Sequence, residues 1–450
     1  MLLLAAILPY AKHPPELRAC AEYGLHEQLL PVRPVPSILQ ACLCASLLLQ
    51  PVQCLRLPAN LQAPDLAALA WIALSAPWLF AKGRAHALPL LGPFLLLLAA
   101  STLAAACSQD PGGSTMALLV EMWLYVWFAS LSVALAAADD RTLKRALGCW
   151  LAAGVGNGVF ILAQFARPDL QAATSAALGS LGSLDPFRPS GFFENCNSAA
   201  FFQLSALAPL AVLSTRASIS LPCLVVLLLS LLATGSMGAL SALAAAVLMA
   251  LAALLALHRD ASACLRLCLA GLACAAIATS LASAAVLADP EFADRVDYVL
   301  TGRSEGSAQS RMTLWSRAAD LLQERFSPFG IGPDQFKSVA GFGVHNDALA
   351  TVVERGLLGI AAAAILGIAS LRAAVRVAAR GAEGRHRPTI VPIAALAACA
   401  VLSMTHEVFH QRPLWLLLAL AFALDQRRWP LTTCSTAATT CSTSASCMRE

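Results

Sequence analysis

The chain has 450 residues, 58% of them hydrophobic and only 12% charged, about half the charge of an ordinary soluble domain. So apolar a composition excludes a soluble globule, a disordered chain and a nucleic-acid-binding protein, and leaves a polytopic membrane protein. The net charge of +4 matters less than its placement, and the 15 cysteines do not form a disulfide framework. Cys42, Cys44, Cys107, Cys149, Cys223, Cys268 and Cys274 lie in or beside apolar runs, where a thiol acts as a small hydrophobe, and no pair has zinc-ligand spacing among polar neighbours.

Residues 1–35 read as an irregular N-terminal segment, broken by Pro9, Pro14, Pro15, Pro31 and Pro34. The apolar start has no basic flank and no small-residue cleavage site, so it is not read as a signal peptide. Apolar runs follow near 38–55, 65–81, 87–106, 116–137, 146–165, 198–213, 219–233, 238–257, 264–287, 347–371, 389–403 and 413–425. A span needs about 20 apolar residues, and a backbone in lipid must satisfy its own hydrogen bonds, so these non-alternating runs predict about twelve transmembrane helices. The expected organisation is helices one to nine over 36–287, with a loop at 166–197. A large loop follows over 288–346, then helices ten to twelve over 347–426 and a Ser/Thr/Cys-rich tail over 427–450.

Lys and Arg orient the chain. With a cytoplasmic N-terminus, the cytoplasmic loops hold Lys82 and Arg84; Arg141, Lys144 and Arg145; Arg216; Arg259 and Arg266; and Arg372, Arg376, Arg380, Arg385 and Arg387. Both termini are then cytoplasmic, and the loops 166–197 and 288–346 face outward. The second carries Arg295, Arg303, Arg311, Arg317, Arg325 and Lys337. Within it, residues 310–322 have helical periodicity, with Met312, Trp315, Ala319 and Leu322 on one face and Pro328 and Gly330 beyond the end. This predicts an amphipathic helix lying against the bundle.

Two polar clusters stand at the outer edge. Phe187-Arg188-Pro189-Ser190-Gly191-Phe192-Phe193-Glu194-Asn195-Cys196-Asn197 precedes span six, and reads either as a cap, with Asn197 as N-cap, or as part of a site. Phe329-Gly330-Ile331-Gly332-Pro333-Asp334-Gln335-Phe336 leads to Val344-His345-Asn346-Asp347 and Glu354-Arg355-Gly356. His345 is either a cap for span ten or a base. A neutral imidazole takes a proton near pH 7, and guanidinium groups hold phosphate oxygens bidentately. Together they suit group transfer from a phosphate-linked lipid. Arg295, Arg317 and Arg325 read as solvated charges. No paired carboxylates for a metal occur in the short outer loops. The last outer loop, Thr405-His406-Glu407-Val408-Phe409-His410-Gln411-Arg412, either snorkels to the interface or lines an acceptor entrance through His406, Glu407 and Arg412.

These motifs carry a resemblance. Arg188-Pro-Ser-Gly191-Phe-Phe-Glu-Asn-Cys-Asn197 is similar to the R-x-x-G-x-F-x-N-x-N stretch of the O-antigen ligase and polymerase superfamily. Arg311-x-x-x-Trp315 resembles its R-x-x-x-W helix. Gly330-Ile-Gly332-x-x-x-Phe336, His345-Asn346 and Glu354-Arg-Gly356-x-x-Gly359 resemble its remaining signature. The chain departs from the family at Ser236-Met237-Gly238, where relatives often carry Ser-Arg-Gly.

The resemblance implies an all-α membrane glycosyltransferase of GT-C-like architecture in the bacterial inner membrane, with its active site facing the periplasm. The implied donor is a glycan on undecaprenyl diphosphate, the implied acceptor a sugar hydroxyl of lipid A-core, and the product lipopolysaccharide, with no nucleotide, metal or other cofactor and no nucleic-acid partner. His345 is then the general base, Arg311 and Arg188 stabilise the diphosphate, and Arg303, Glu194, Asn197, Asn346, His406, Glu407 and Arg412 bind substrate. A polysaccharide polymerase or a protein-glycosylating enzyme shares these motifs and differs in its acceptor. A lipid-linked glycan transporter is the non-enzymatic alternative. Against it stand the absence of an internal repeat and the gathering of polar residues at the outer edge rather than mid-span.

Overall fold

The computed structural model describes residues 35–53, 62–80, 88–178, 188–213, 217–258, 305–324, 327–384 and 387–427, with scattered positions between 261 and 297. The membrane helices in chain order are α1 (Ser37–Leu48), α2 (Ala63–Phe80), α3 (Leu91–Ala106), α4 (Pro111–Ala137) and α5 (Asp140–Ala166). A short α6 (Pro168–Leu178) leads on to α7 (Cys196–Leu213), α8 (Ala217–Ala233) and α9 (Met237–Ala253). Then come α10 (Glu305–Glu324), α11 (Gln335–Ala340), α12 (Asp347–Gly384), α13 (Val391–Leu402) and α14 (Arg412–Gln426). Among the described residues there is no β-strand. Every predicted apolar run except the ninth coincides with one of these helices. The ninth, 264–287, lies largely outside the described residues, as do the N-terminal segment before Val35 and the tail after Arg427.

Among the described residues five helices are long and apolar enough to cross a membrane, and α1, α2, α3, α8 and α13 are shorter apolar helices. The protein is therefore an all-α multi-pass membrane protein. Its interior is filled by Leu43, Trp71, Trp127, Phe128, Trp150, Phe201, Phe202 and Trp415. Its exterior is apolar too, with Leu74, Leu95, Leu119, Val159 and Leu248 exposed, as a lipid-facing surface requires. The central packing pairs are α9 with α13, α4 with α14, α3 with α12, and α5 with both α1 and α7.

The two ends of the bundle differ. At the far end of α12 from His345, Arg376 pairs with Asp425 at 2.5 Å and Arg380 with the same carboxylate at 3.1 Å. Arg427 there binds Asp140 at 2.5 Å and the Ala138 carbonyl at 2.8 Å. The other end carries the loops, and α12 is modified to receive one of them. Gly356 breaks the helix at φ 63°, ψ −157°, and residues 328–332 fill the gap. Ile331 donates to the Val353 carbonyl, Gly332 to that of Glu354, and Leu357 to that of Pro328, each at 3.0 Å. A freed backbone group inside a span must find such a partner. Gly330 packs directly on the Glu354–Arg355 backbone, where a side chain would collide.

The amphipathic helix is present as α10, with Trp315 and Leu322 of the predicted face turned inward and Met312 and Ala319 turned out. Leu314, Trp315, Ala318, Leu321 and Leu322 face the cluster formed with Ile331, Phe336, Val344, Ala350 and Val353. Met312 is 68% exposed and Ala319 is exposed. The i, i+1, i+4, i+7, i+8 set gives the broader stripe a globular interface needs, and α10 rests on the loop and the start of α12.

Candidate active site

Three segments build the site. The first is the turn before α7. Asn157 and Gln164, both buried on α5, hold it from below: Asn157 Oδ1 accepts the Phe192 N–H at 3.0 Å and Gln164 Oε1 accepts that of Gly191 at 2.8 Å. Gly191, at φ +63°, lies so close to the Asn157 amide that a side chain would strike it. Arg188 is thereby aimed at the α8–α9 turn, where its Nε donates to the Thr234 carbonyl at 3.0 Å and its Nη2 to Asn197 Oδ1 at 2.9 Å. Asn197 is therefore not the N-cap of α7. Asn195 has that role: its side chain accepts the Asn197 N–H at 2.7 Å and its carbonyl the Ala199 N–H at 3.0 Å.

The second segment is α10. Trp315 Nε1 donates to the Val344 carbonyl at 3.0 Å, and Arg311, one turn earlier, is thus brought toward His345. Among the described residues Arg311 makes no hydrogen bond or ion pair. Burial and then Arg188 pull its pKa below the ordinary value, yet a guanidinium keeps its charge at any physiological pH.

The third segment joins the start of α12 to the loop 403–411. Asn346 caps α12, its Oδ1 accepting the Leu349 N–H at 3.0 Å, and its amide donates to the Met404 carbonyl at 3.1 Å. The cap is therefore already filled, and His345 does not supply it. His345 has a left-handed backbone, φ 55°, and its N–H donates to Glu407 Oε1 at 3.0 Å. Burial, opposed by Glu407 and assisted by Arg311, lowers the His345 pKa below 6.5. His406 is buried, with Nδ1 2.9 Å from Thr405 Oγ1 and Nε2 without a partner among the described residues. Burial first, then Arg311, His345 and Arg188, push its pKa down to about 3. Gly238, the last residue of the divergent Ser-Met-Gly, sits against Thr405 and His406 with no room for a side chain.

Arg188, Arg311, His345, His406 and Glu407 therefore share one locus. Glu194 and Arg412 meet in another polar network. Gln62 donates to Glu194 Oε1 at 3.1 Å and accepts from Arg412 at the same distance, while Arg412 pairs with Asp65. Arg303, Arg295 and Arg325 lie outside the described residues, and Arg317 is exposed. Among the described residues, no group of three or more His, Cys, Asp and Glu is placed to hold a metal ion.

The sequence reading missed several residues. Asn157 and Gln164 are seven apart in an apolar run, on one helix face, and that spacing was a usable signal. Polar residues also occur mid-span, contrary to expectation. Arg355 pairs with Glu121 and lies 3.3 Å from Glu354, and Ser101 Oγ bridges Arg355 Nε and Glu121 Oε2 at 3.0 Å each. A narrow cleft connects this group to the loop end, lined by Glu121, Arg355, Asp347, Glu407, Phe94 and Trp415. A charge within an apolar run is itself a pointer to such a site.

The family described as O-antigen ligase matches residues 222–364. No curated protein matches the chain. The matched segment carries Arg311, Trp315, His345 and the Gly330–Gly356 insertion, all packed as one unit on a multi-pass helical bundle, and over this segment the chain is similar to the O-antigen ligase family.

Proposed function

We propose that the protein is an O-antigen ligase. It transfers a glycan from undecaprenyl diphosphate to a sugar hydroxyl of lipid A-core at the periplasmic face of the inner membrane. The observation that carries this reading is the convergence of Arg188, Arg311 and His345, from three separate segments, at one end of the bundle.

In this reading the neutral His345 imidazole takes the proton of the acceptor hydroxyl. The oxygen attacks the anomeric carbon, the bond from that carbon to the phosphate oxygen breaks, and its electron pair leaves with undecaprenyl diphosphate. Arg311, whose guanidinium has no acceptor among the described residues, and the remaining edge of Arg188 meet the charge that grows on the leaving group. Such fixed donors in a site shielded from water need no reorganisation as the charge develops. Asn346 and Asn197 hold the frame, and this reading assigns the Glu194–Gln62–Arg412 network to the acceptor glycan.

The test is the purified protein in lipid nanodiscs, supplied with undecaprenyl-diphosphate-linked repeat units and lipid A-core. Glycosylated lipid A-core is expected without nucleotide and in excess chelator, because guanidinium groups carry the leaving-group charge. Lengthened lipid-linked glycan with unmodified lipid A-core identifies a polymerase instead, and no transfer to either acceptor overturns the ligase reading.

A further inference from the structure

The loop 403–411 is bonded to the start of α12 at Ser403, Met404, Glu407, Val408 and Phe409. Asn346 reaches the Met404 carbonyl at 3.1 Å, and Asp347 N–H reaches that of Ser403 at 2.9 Å. The buried Asp347 carboxylate accepts the Val408 N–H at 3.0 Å and the Phe409 N–H at 3.4 Å. Those two amides directly follow Glu407, whose own carboxylate turns back to the His345 N–H. Gly343 lies flat against this carboxylate, with no space for a side chain between them. We infer that Glu407 is a positioning residue for His345 and that Asp347 holds Glu407 in place.

His345 needs such a holder. A left-handed backbone is costly for a residue other than glycine and persists only when its surroundings impose it. The charged and titratable groups that face its ring are Arg311 from α10 and His406 and Glu407 from the loop 403–411, with Arg188 beside Arg311 and His406. Of these only Glu407 favours proton uptake; Arg311 and burial oppose it. Glu407 thus does two things at once: it fixes the backbone from which the ring projects, and it preserves the basicity that a positive, partly dry site removes. This role differs from that of a substrate ligand, since the carboxylate oxygen is already committed to the protein.

The inference rests on reading His345 as the base, and two readouts keep the two ideas apart. One is the pH profile of transfer from undecaprenyl-diphosphate-linked glycan to lipid A-core. The other is the pH dependence of His345 carbethoxylation by diethyl pyrocarbonate, followed by mass spectrometry of its peptide, which needs no turnover. Glu407→Gln keeps an oxygen for the His345 N–H and removes the charge. It is expected to move the acid limb of both profiles to lower pH and to reduce the plateau rate about tenfold. Glu407→Ala, which also abandons the N–H, is expected to lose about a hundredfold at unchanged membrane abundance. Asp347→Ala, leaving Glu407 intact but its loop loose, is expected to move the limbs in the same direction. Profiles of Glu407→Gln that overlay the wild type in carbethoxylation overturn the inference, and an unshifted Asp347→Ala overturns its second half. A shifted carbethoxylation profile in a protein that transfers no glycan supports the inference and rejects the ligase reading.

Discussion

Trp315 on α10 donates its indole N–H to the carbonyl of Val344, immediately before His345. One bond at 3.0 Å thereby sets the separation between the helix that carries Arg311 and the loop that carries the proposed base. Trp315→Phe keeps most of the buried ring and removes only the bond. A neutral hydrogen bond is worth about 1 kcal/mol, so stability should fall little. Turnover should fall further, by about tenfold or more, because a misplacement of one ångström costs on the order of a hundredfold in a positioned reaction. Equal losses in thermal stability and turnover would show that Trp315 packs and does not align.

Arg311→Ala removes a guanidinium that no acceptor among the described residues occupies. Loss of one such donor costs about 3–4 kcal/mol in the barrier, or roughly 10²–10³ in rate. Arg311→Lys should rescue little, since an ammonium lacks the planar fork. Exposed Arg317, six residues along the same helix, is the control, and Arg317→Ala should transfer normally. Rate measurements on the three variants at equal abundance decide it, and comparable losses at 311 and 317 would remove Arg311 from the site.

Since Asn346 already caps α12, His345→Asn should insert and accumulate normally yet lose most of its transfer rate, on the order of 10²–10⁴. The wild-type rate should be flat through neutral pH and fall only below the depressed His345 pKa, because the base works in its neutral form. Near-normal turnover of His345→Asn would place the base elsewhere.

His406 makes a prediction about stability. Unfolded, its imidazole takes a proton near pH 6.5; folded, it resists protonation until about pH 3. The folded state therefore binds fewer protons in that window, and stability is lost as the pH falls from 6.5 toward 3. Thermal unfolding in detergent should show a clear decline between pH 7.5 and 5, and His406→Gln should flatten it. An unchanged slope in that variant would assign the acid sensitivity to other groups.

Arg355 and Glu121 are both buried, about 12–15 Å along their helices from the loop end. Removing either partner alone leaves a charge without its partner in the bundle and should cost about 3–5 kcal/mol, seen as loss of membrane abundance in Arg355→Met or Glu121→Leu. The double variant should recover part of that loss. A double variant worse than either single one would argue that Glu354 and Ser101, which also touch Arg355, depend on the pair.

The helices were legible in the sequence because a span is a local property: 20 apolar residues suffice, and the runs at 116–137 and 146–165 became α4 and α5 within a few residues. The identities of Arg188, Arg311 and His345 were legible through their motifs. Their partners were not. Arg188 meets Thr234 and His345 meets Glu407 across long separations in the chain, and no periodicity encodes such a pairing. Asn195 and Asn197 show the same limit at short range, since either could cap α7 and only the pull of Arg188 on Asn197 decides between them. For α10, a narrow i, i+3, i+7 pattern selected Met312, whereas the surface it packs on is wide and engages Leu314 and Ala318 instead.

The insertion at Gly356 bears on where this chain could be cut and rejoined. Ile331, Gly332 and Leu357 are bonded across the break, so the site loop does not stop where the apolar run begins at residue 347. A chimera joined at residue 346 would divide one hydrogen-bonded unit between two parents. The seam that leaves it whole lies beyond Leu357, inside the span. The loop at 328–332 and the first turns of the membrane helix therefore fold, and fail, as one piece.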